Sequence, residues 1–144
     1  MNVKSILAAG ALALLASTAW AADTIKIGNI VVTAGFLKSV GEPTLTAVDI
    51  AVDEINAAGG INGKPIELIR FDTGSDPKQA SVGARKLAQD DEVLAIVGPF
   101  SSGESAVALN DAERLKVLMM PTSASAPGLT DGRKYGWRLT EQAG

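Results

Sequence analysis

The sequence predicts an α/β fold: a three-layer, doubly wound parallel sheet with helices on both faces. Three observations carry this reading. Strand-like and helix-like segments alternate along the chain from Ile25 onward, the order that builds a parallel sheet. Val93-Leu94-Ala95-Ile96-Val97 is apolar without a break, as expected of a strand covered by helices on both sides. Proline stands where helices would begin and glycine where one would end, which is the usual asymmetry of helix termini.

Taken in order, Ile25 to Ile30 alternates apolar and polar and continues into Val31 and Val32, giving the first strand. A loop of small residues from Thr33 to Glu42 is expected next, with Pro43 in the first turn of a helix. Leu45, Val48, Val52 and Ile55 recur at helical spacing, and Asp49, Asp53 and Asn56 fall elsewhere on its surface. Gly59-Gly60 stops that helix, Asn62-Gly63 turns the chain, and Ile66 to Phe71 is the second strand. Asp76 is the expected N-cap of a second helix, with Pro77 first inside it and Gln79 placed to complete a capping box. Ala80, Ala84, Leu87 and Ala88 give that helix a narrow face of mostly small residues. Val93–Val97 is the third strand, a third helix runs to about Arg114, and Val117 to Met120 is the fourth strand, ended by Pro121. Tyr135 to Leu139 reads as another strand beginning. Right-handed crossovers then require the strand order two-one-three-four, if the first helix packs on one face and the later helices on the other.

The first 21 residues read differently. Lys4 is followed by an apolar run from Ile6 to Ala16 and by Ala19-Trp20-Ala21, the pattern of a signal peptide cut after Ala21. The run is too short to span a bilayer. Removing it leaves twelve basic and sixteen acidic residues, net −4, so no basic footprint for nucleic acid or an anionic membrane is expected. The chain has no Cys, which removes disulfides, thiolate metal sites and a lipid-anchored terminus. It has no His, the commonest general base and metal ligand. The signal sequence and the end at Gly144 lead us to expect a truncated precursor or partial gene. Expressed alone, such a piece is expected to be marginally stable and unable to bind a solute tightly.

Ligands of open parallel sheets sit beyond the carboxyl ends of the strands, where strand order reverses. Three loops occupy such ends: Thr33–Glu42, Gly98–Gly103 and Pro121–Pro127, all rich in Gly, Ser, Thr or Ala. Ser101 with Glu104 fits a capping box at the start of the third helix. The same segment, Ser101-Ser102-Gly103, also fits an anion site, because the first amides of a helix are unpaired and point outward. Glu104 opposes a bound anion if it points at it, and does not if it folds back onto the cap. There is no G-x-S-x-G elbow and no phosphate loop.

Four stretches stand in an order and spacing that resemble the leucine/isoleucine/valine-binding proteins, type I periplasmic receptors that feed ABC importers. They are Ala51 to Lys64 (with its Asn-Ala-Ala-Gly-Gly-Ile-Asn-Gly-Lys run), Asp76 to Ala80, Val97 to Ser102, and Met120 to Thr130. The resemblance implies the type I periplasmic binding protein fold. It makes residues 22–144 the first part of an incomplete first lobe, behind a signal peptide at 1–21. It implies a periplasmic receptor for a branched-chain or other amino acid, not an enzyme, with no cofactor. The partners it implies are the small solute and an ABC permease in the membrane, with no nucleic acid, no direct membrane insertion and a monomer at full length. In that family a serine opening the third helix helps hold the ligand's charged α-groups, and Ser102 matches it, with Ser101 and Gly103 on either side. The loop after the fourth strand supplies a backbone group and a hydroxyl. Aligned back from Ala126-Pro127 these fall on Ser123 and Ser125, and counted forward from Pro121 on Thr122 and Ala124. The need for a hydroxyl favours Ser123 and Ser125. Some relatives carry a disulfide where Ser75 and Ser101 stand here. A sensor of the same fold, or an enzyme completed by residues outside this chain, are the alternatives.

Overall fold

The computed structural model describes residues 23–143, so the signal-peptide reading lies outside the described residues. Strands β1 (Ile25–Val31), β2 (Ile66–Asp72), β3 (Ala95–Val97) and β4 (Leu118–Met120) alternate with helices α1 (Lys38–Ala57), α2 (Pro77–Gln89) and α3 (Ser102–Leu115). The sheet order is β2-β1-β3-β4. Every pairing is parallel, with Ile25 beside Ile66, Ile27 beside Ala95 and Ala95 beside Leu118. Chain order therefore reverses between β1 and β3, as the crossover rule requires. Beyond β4, Gly136 makes a parallel bridge with Met119. Met119 N–H reaches Tyr135 O at 2.8 Å and Trp137 N–H reaches Met119 O at 3.0 Å. The Tyr135 segment thus starts alongside β4 as a further strand would.

Side-chain alternation divides the sheet between two helical layers. Ile30, Ile96 and Met119 point to one face and join Ala80, Ala84 and Leu87 of α2 with Ala108, Leu109 and Ala112 of α3 in the core. Small residues on the facing sides of α2 and α3 let the two helices approach each other and the sheet. A Cβ on Gly83 would lie 2.5 Å from the Phe71 ring. Ile27, Ile66, Leu68 and Val97 point to the other face, toward Val48, Val52 and Ile55 of α1. These seven residues are all half-buried or exposed, so that part of the layer is the looser one.

Three expectations are corrected. Helix α1 begins at Lys38, so Pro43 lies inside it and the second half of the expected loop, from Lys38 to Glu42, is helical. The start is set by tertiary contacts that a local pattern does not reveal. Gly41 packs so closely that a Cβ there would be 2.4 Å from Val32 O, and Leu37 N–H is capped by Ser75 Oγ at 3.1 Å. Pro43 then costs one backbone bond early in a 20-residue helix. Asn56 is not a free surface residue: it accepts from Ile66 N–H at 2.7 Å and donates to Ile66 O at 2.9 Å, clamping the start of β2. The third strand is shorter than its apolar run, because Val93 bonds back to Leu87 O and Leu94 is 69% exposed at the sheet's amino edge. Smaller differences follow the same logic. Asp76 caps α2 through Lys78 N–H at 2.8 Å, and no capping box with Gln79 forms among the described residues.

Asp111 cross-links the two packed helices. It is buried, accepts from the Ser81 hydroxyl of α2, and pairs with Arg85 at 3.2 Å and Arg114 at 2.6 Å. Burial pushes its carboxyl up, but the Ser81 hydroxyl, the Arg114 bond and the charges of Arg85 and Arg114 outweigh this and hold it below the ordinary range. A folded-state value below the unfolded one stabilises the fold above the unfolded pKa, and that stabilisation is lost as pH falls through the folded pKa. Asp111→Asn should therefore lower stability at neutral pH by about 1–2 kcal/mol, discounted for two half-exposed arginines. It should also flatten the loss of stability on acidification below about pH 4. Thermal unfolding of both proteins across that range is the check, and parallel acid limbs would remove Asp111 from the account.

Candidate functional site

The parallel topology brings the ends of β1 to β4, and the starts of α2 and α3, to one edge of the sheet. Hydrogen bonds join the loops there in pairs. Asp72, ending β2, accepts from the Thr33 hydroxyl, from Thr33 N–H at 3.1 Å and from Gly74 N–H at 2.9 Å. Burial pushes the Asp72 carboxyl up, and these three bonds more than offset it, so the group sits below its ordinary range. Ser75 donates its hydroxyl to Ala34 O at 2.8 Å while accepting from Leu37 N–H. The β1 loop is thus tied to the β2 loop at both ends.

Helix α3 opens on a complete capping box. Glu104 N–H donates to Ser101 Oγ at 3.3 Å, and Glu104 Oε2 accepts from the Ser101 hydroxyl at 2.6 Å and Ser101 N–H at 3.4 Å. The other carboxyl oxygen accepts from the Thr73 hydroxyl, so the side chain is 1% exposed and ties α3 to the β2 loop. Glu104 has folded back and does not face the edge. Ser102 stands first in the helix, half-buried. Its Oγ accepts Ser125 N–H and Ala126 N–H, each at 3.1 Å. The helix start and the loop after β4 are therefore one unit. Gly103 is exposed on the first turn, Ser123 is exposed in the loop, and Ser125 is half-buried. Thr122 N–H reaches Pro99 O at 3.1 Å, and Gly98 N–H reaches Met120 O at 2.9 Å. Gly98, at φ 103°, brings its backbone so near β1 that a Cβ would lie 2.3 Å from Ile30 O. The chain after Trp137 crosses the same loop: Arg138 donates to Ala126 O at 2.7 Å and Ala143 N–H to Ser125 O at 2.8 Å.

Ser101, Ser102, Gly103 and Ser125 thus come together, while Ser123 stands at the rim. Thr33 to Gly41 reaches the same edge through Val32 and Gly41, which share a small cavity with Phe100 and Thr122. Sequence reasoning missed Asp72 and Thr73, whose partners lie 39 and 31 positions away. A larger open cleft of about 590 Å³ lies at the opposite edge, beside Lys26, Leu94 and Val117. The helix ends near it are the C-termini of α2 and α3, whose carbonyls repel anions, so the edge with the helix N-termini is the stronger candidate for an acidic solute. Among the described residues no cluster of three His, Asp or Glu is placed to hold a metal. Thr73→Val should remove a donor from a carboxyl group that cannot reach water, destabilising the fold by about 1–3 kcal/mol. Denaturant unfolding measures this, and a change within about 0.5 kcal/mol would reduce the Thr73 bond to an incidental contact.

Comparisons with known proteins agree with this architecture. The sequence pattern of the family described as periplasmic binding protein matches residues 24–144. The Leu/Ile/Val-binding protein of Escherichia coli (strain K12) is 34% identical over 131 residues, covering 90% of this chain and 35% of that protein. The leucine-, isoleucine-, valine-, threonine-, and alanine-binding protein of Pseudomonas aeruginosa is 38% identical over 129 residues, covering 90% and 34%. The branched-chain amino acid transporter substrate binding protein LivJ of Streptococcus pneumoniae, solved in complex with isoleucine, superposes with a TM-score of 0.81 at 39% identity, covering 83% of this chain and 34% of that one. The chain spans about a third of the length of these relatives. With its strand order, its capped third helix and these matches, the chain belongs to the periplasmic binding protein family.

Proposed function

We propose that this chain is the first part of the N-terminal lobe of a two-lobed periplasmic receptor. It binds a branched-chain or other amino acid and delivers it to an ABC importer, without catalysing a reaction. The observation that carries the proposal is the Ser102 oxygen accepting Ser125 and Ala126 N–H at the start of α3. With its oxygen so engaged, Ser102 still has its hydroxyl hydrogen to donate. The N–H groups of Ser102 and Gly103 stand at the first two positions of the helix, where no intrahelical acceptor exists. These donors, with the positive end of the helix dipole, suit a carboxylate. Ser123 O and the Ser125 hydroxyl, from the loop held by Ser102, would supply the acceptors that an ammonium group needs. Ser101 serves indirectly, by holding the helix start through Glu104. The relatives named for leucine, isoleucine and valine, and the neighbour holding isoleucine, support an amino acid as the solute. A second lobe would close over this edge and exclude water, which strengthens each polar contact.

Calorimetry on the full-length gene product with a panel of amino acids tests the reading. Ser102→Ala should weaken binding by about 0.5–3 kcal/mol, the range for one hydrogen bond to a neutral or charged group. Thermal unfolding of the same variant separates lost contact from lost fold. An unchanged affinity would take Ser102 out of the site, and no binding of any amino acid by the wild type would overturn the function.

A further inference from the structure

Two buried polar atoms end on one small cavity behind the candidate site. Asn29, 2% exposed, lies in β1 beside the place where strand order reverses. Its Nδ2 donates to Val97 O at 3.1 Å. A carbonyl only accepts, so this bond fixes the amide's orientation and leaves Oδ1 as the free end. Asn29 Oδ1 and Thr122 Oγ1 are both shielded from solvent, and neither has a hydrogen-bond partner among the described residues. Both residues line a cavity walled by Val32, Gly41, Leu45 and Phe100. The cavity is small, with room for about one water molecule. Buried polar atoms in folded proteins are nearly always satisfied by protein or by ordered water.

We propose that this cavity is a binding site for a single structural water, which donates to Asn29 Oδ1 and bonds the Thr122 hydroxyl. Thr122 N–H is already held by Pro99 O at 3.1 Å. The water adds a side-chain tether from the same residue to β1, immediately before Ser123 to Ser125. Asn29 and Thr122 act here as positioning residues, and the water site stands whether or not the solute is an amino acid.

The test is a crystal structure of the full-length gene product, at a resolution that shows ordered water, with Thr122→Val and Thr122→Ser alongside. The expected result is one water within hydrogen-bond reach of both atoms in the wild type and in Thr122→Ser, and its loss in Thr122→Val, which keeps the shape and removes the hydroxyl. A dry cavity in the wild type, a direct bond between Asn29 and Thr122, or an unmoved water in Thr122→Val would overturn the proposal. Water-to-amide transfer measured by NMR on the wild type gives the same answer without any variant.

Discussion

A buried carboxyl group organises the edge of the sheet that carries the candidate site. Glu104 is 1% exposed. Its oxygens accept from Ser101 at the helix start and from Thr73 at the end of β2. A buried group of this kind is costly unless every oxygen is paired. The arrangement therefore constrains two loops at once: neither can move without leaving the carboxyl group short of a donor. Because Ser101 and Glu104 cap the helix, Ser102 is released from capping. Its oxygen is free to hold the loop after β4.

The rest of the fold keeps that edge in place. The face under α2 and α3 is packed with small side chains and cross-linked through Asp111, so α3 cannot slide along the sheet. The face under α1 is looser, and α1 is positioned by point contacts: Gly41 against Val32 O, and Asn56 on both polar groups of Ile66. Binding residues on loops become precise only when rigid elements and supporting hydrogen bonds fix those loops. Here the supporting bonds run from β2 through Thr73 and Glu104 to α3, and from α3 through Ser102 to the loop that carries Ser125.

Much of this was legible in the sequence where the cause is local or topological. Asp76 and the Ser101–Glu104 pair act over two or three residues, so their patterns could be read directly. The strand order followed from the handedness of crossovers, given alternating strands and helices. What sequence did not reveal depends on partners far along the chain. Pro43 looks like a first-turn proline, yet the helix starts earlier because Val32 and Ser75 hold its beginning. Asn56 has the spacing of a surface residue, and Ile66 makes it a clamp. Thr73 and Asp72 gave no signal, since a threonine after a strand is ordinary until a helix arrives beside it. At the candidate site, the helix start pointed to Ser102 and the family resemblance to Ser102, Ser123 and Ser125, but only the folded structure shows that Ser102 holds the Ser125 amide.

The central claim is that the cap on α3 positions the loop after β4. Amide hydrogen exchange at Ser125 and Ala126 tests it most directly, because both N–H groups end on Ser102 Oγ. In Glu104→Gln an amide NH2, which cannot accept, replaces one carboxyl oxygen, and the helix start loses part of its anchorage. The account predicts that protection at Ser125 and Ala126 falls, while protection in β1 and β2 is retained. Unchanged protection at those two amides, in a variant whose helix start has loosened, would show that the loop is held independently of the cap and would contradict the account.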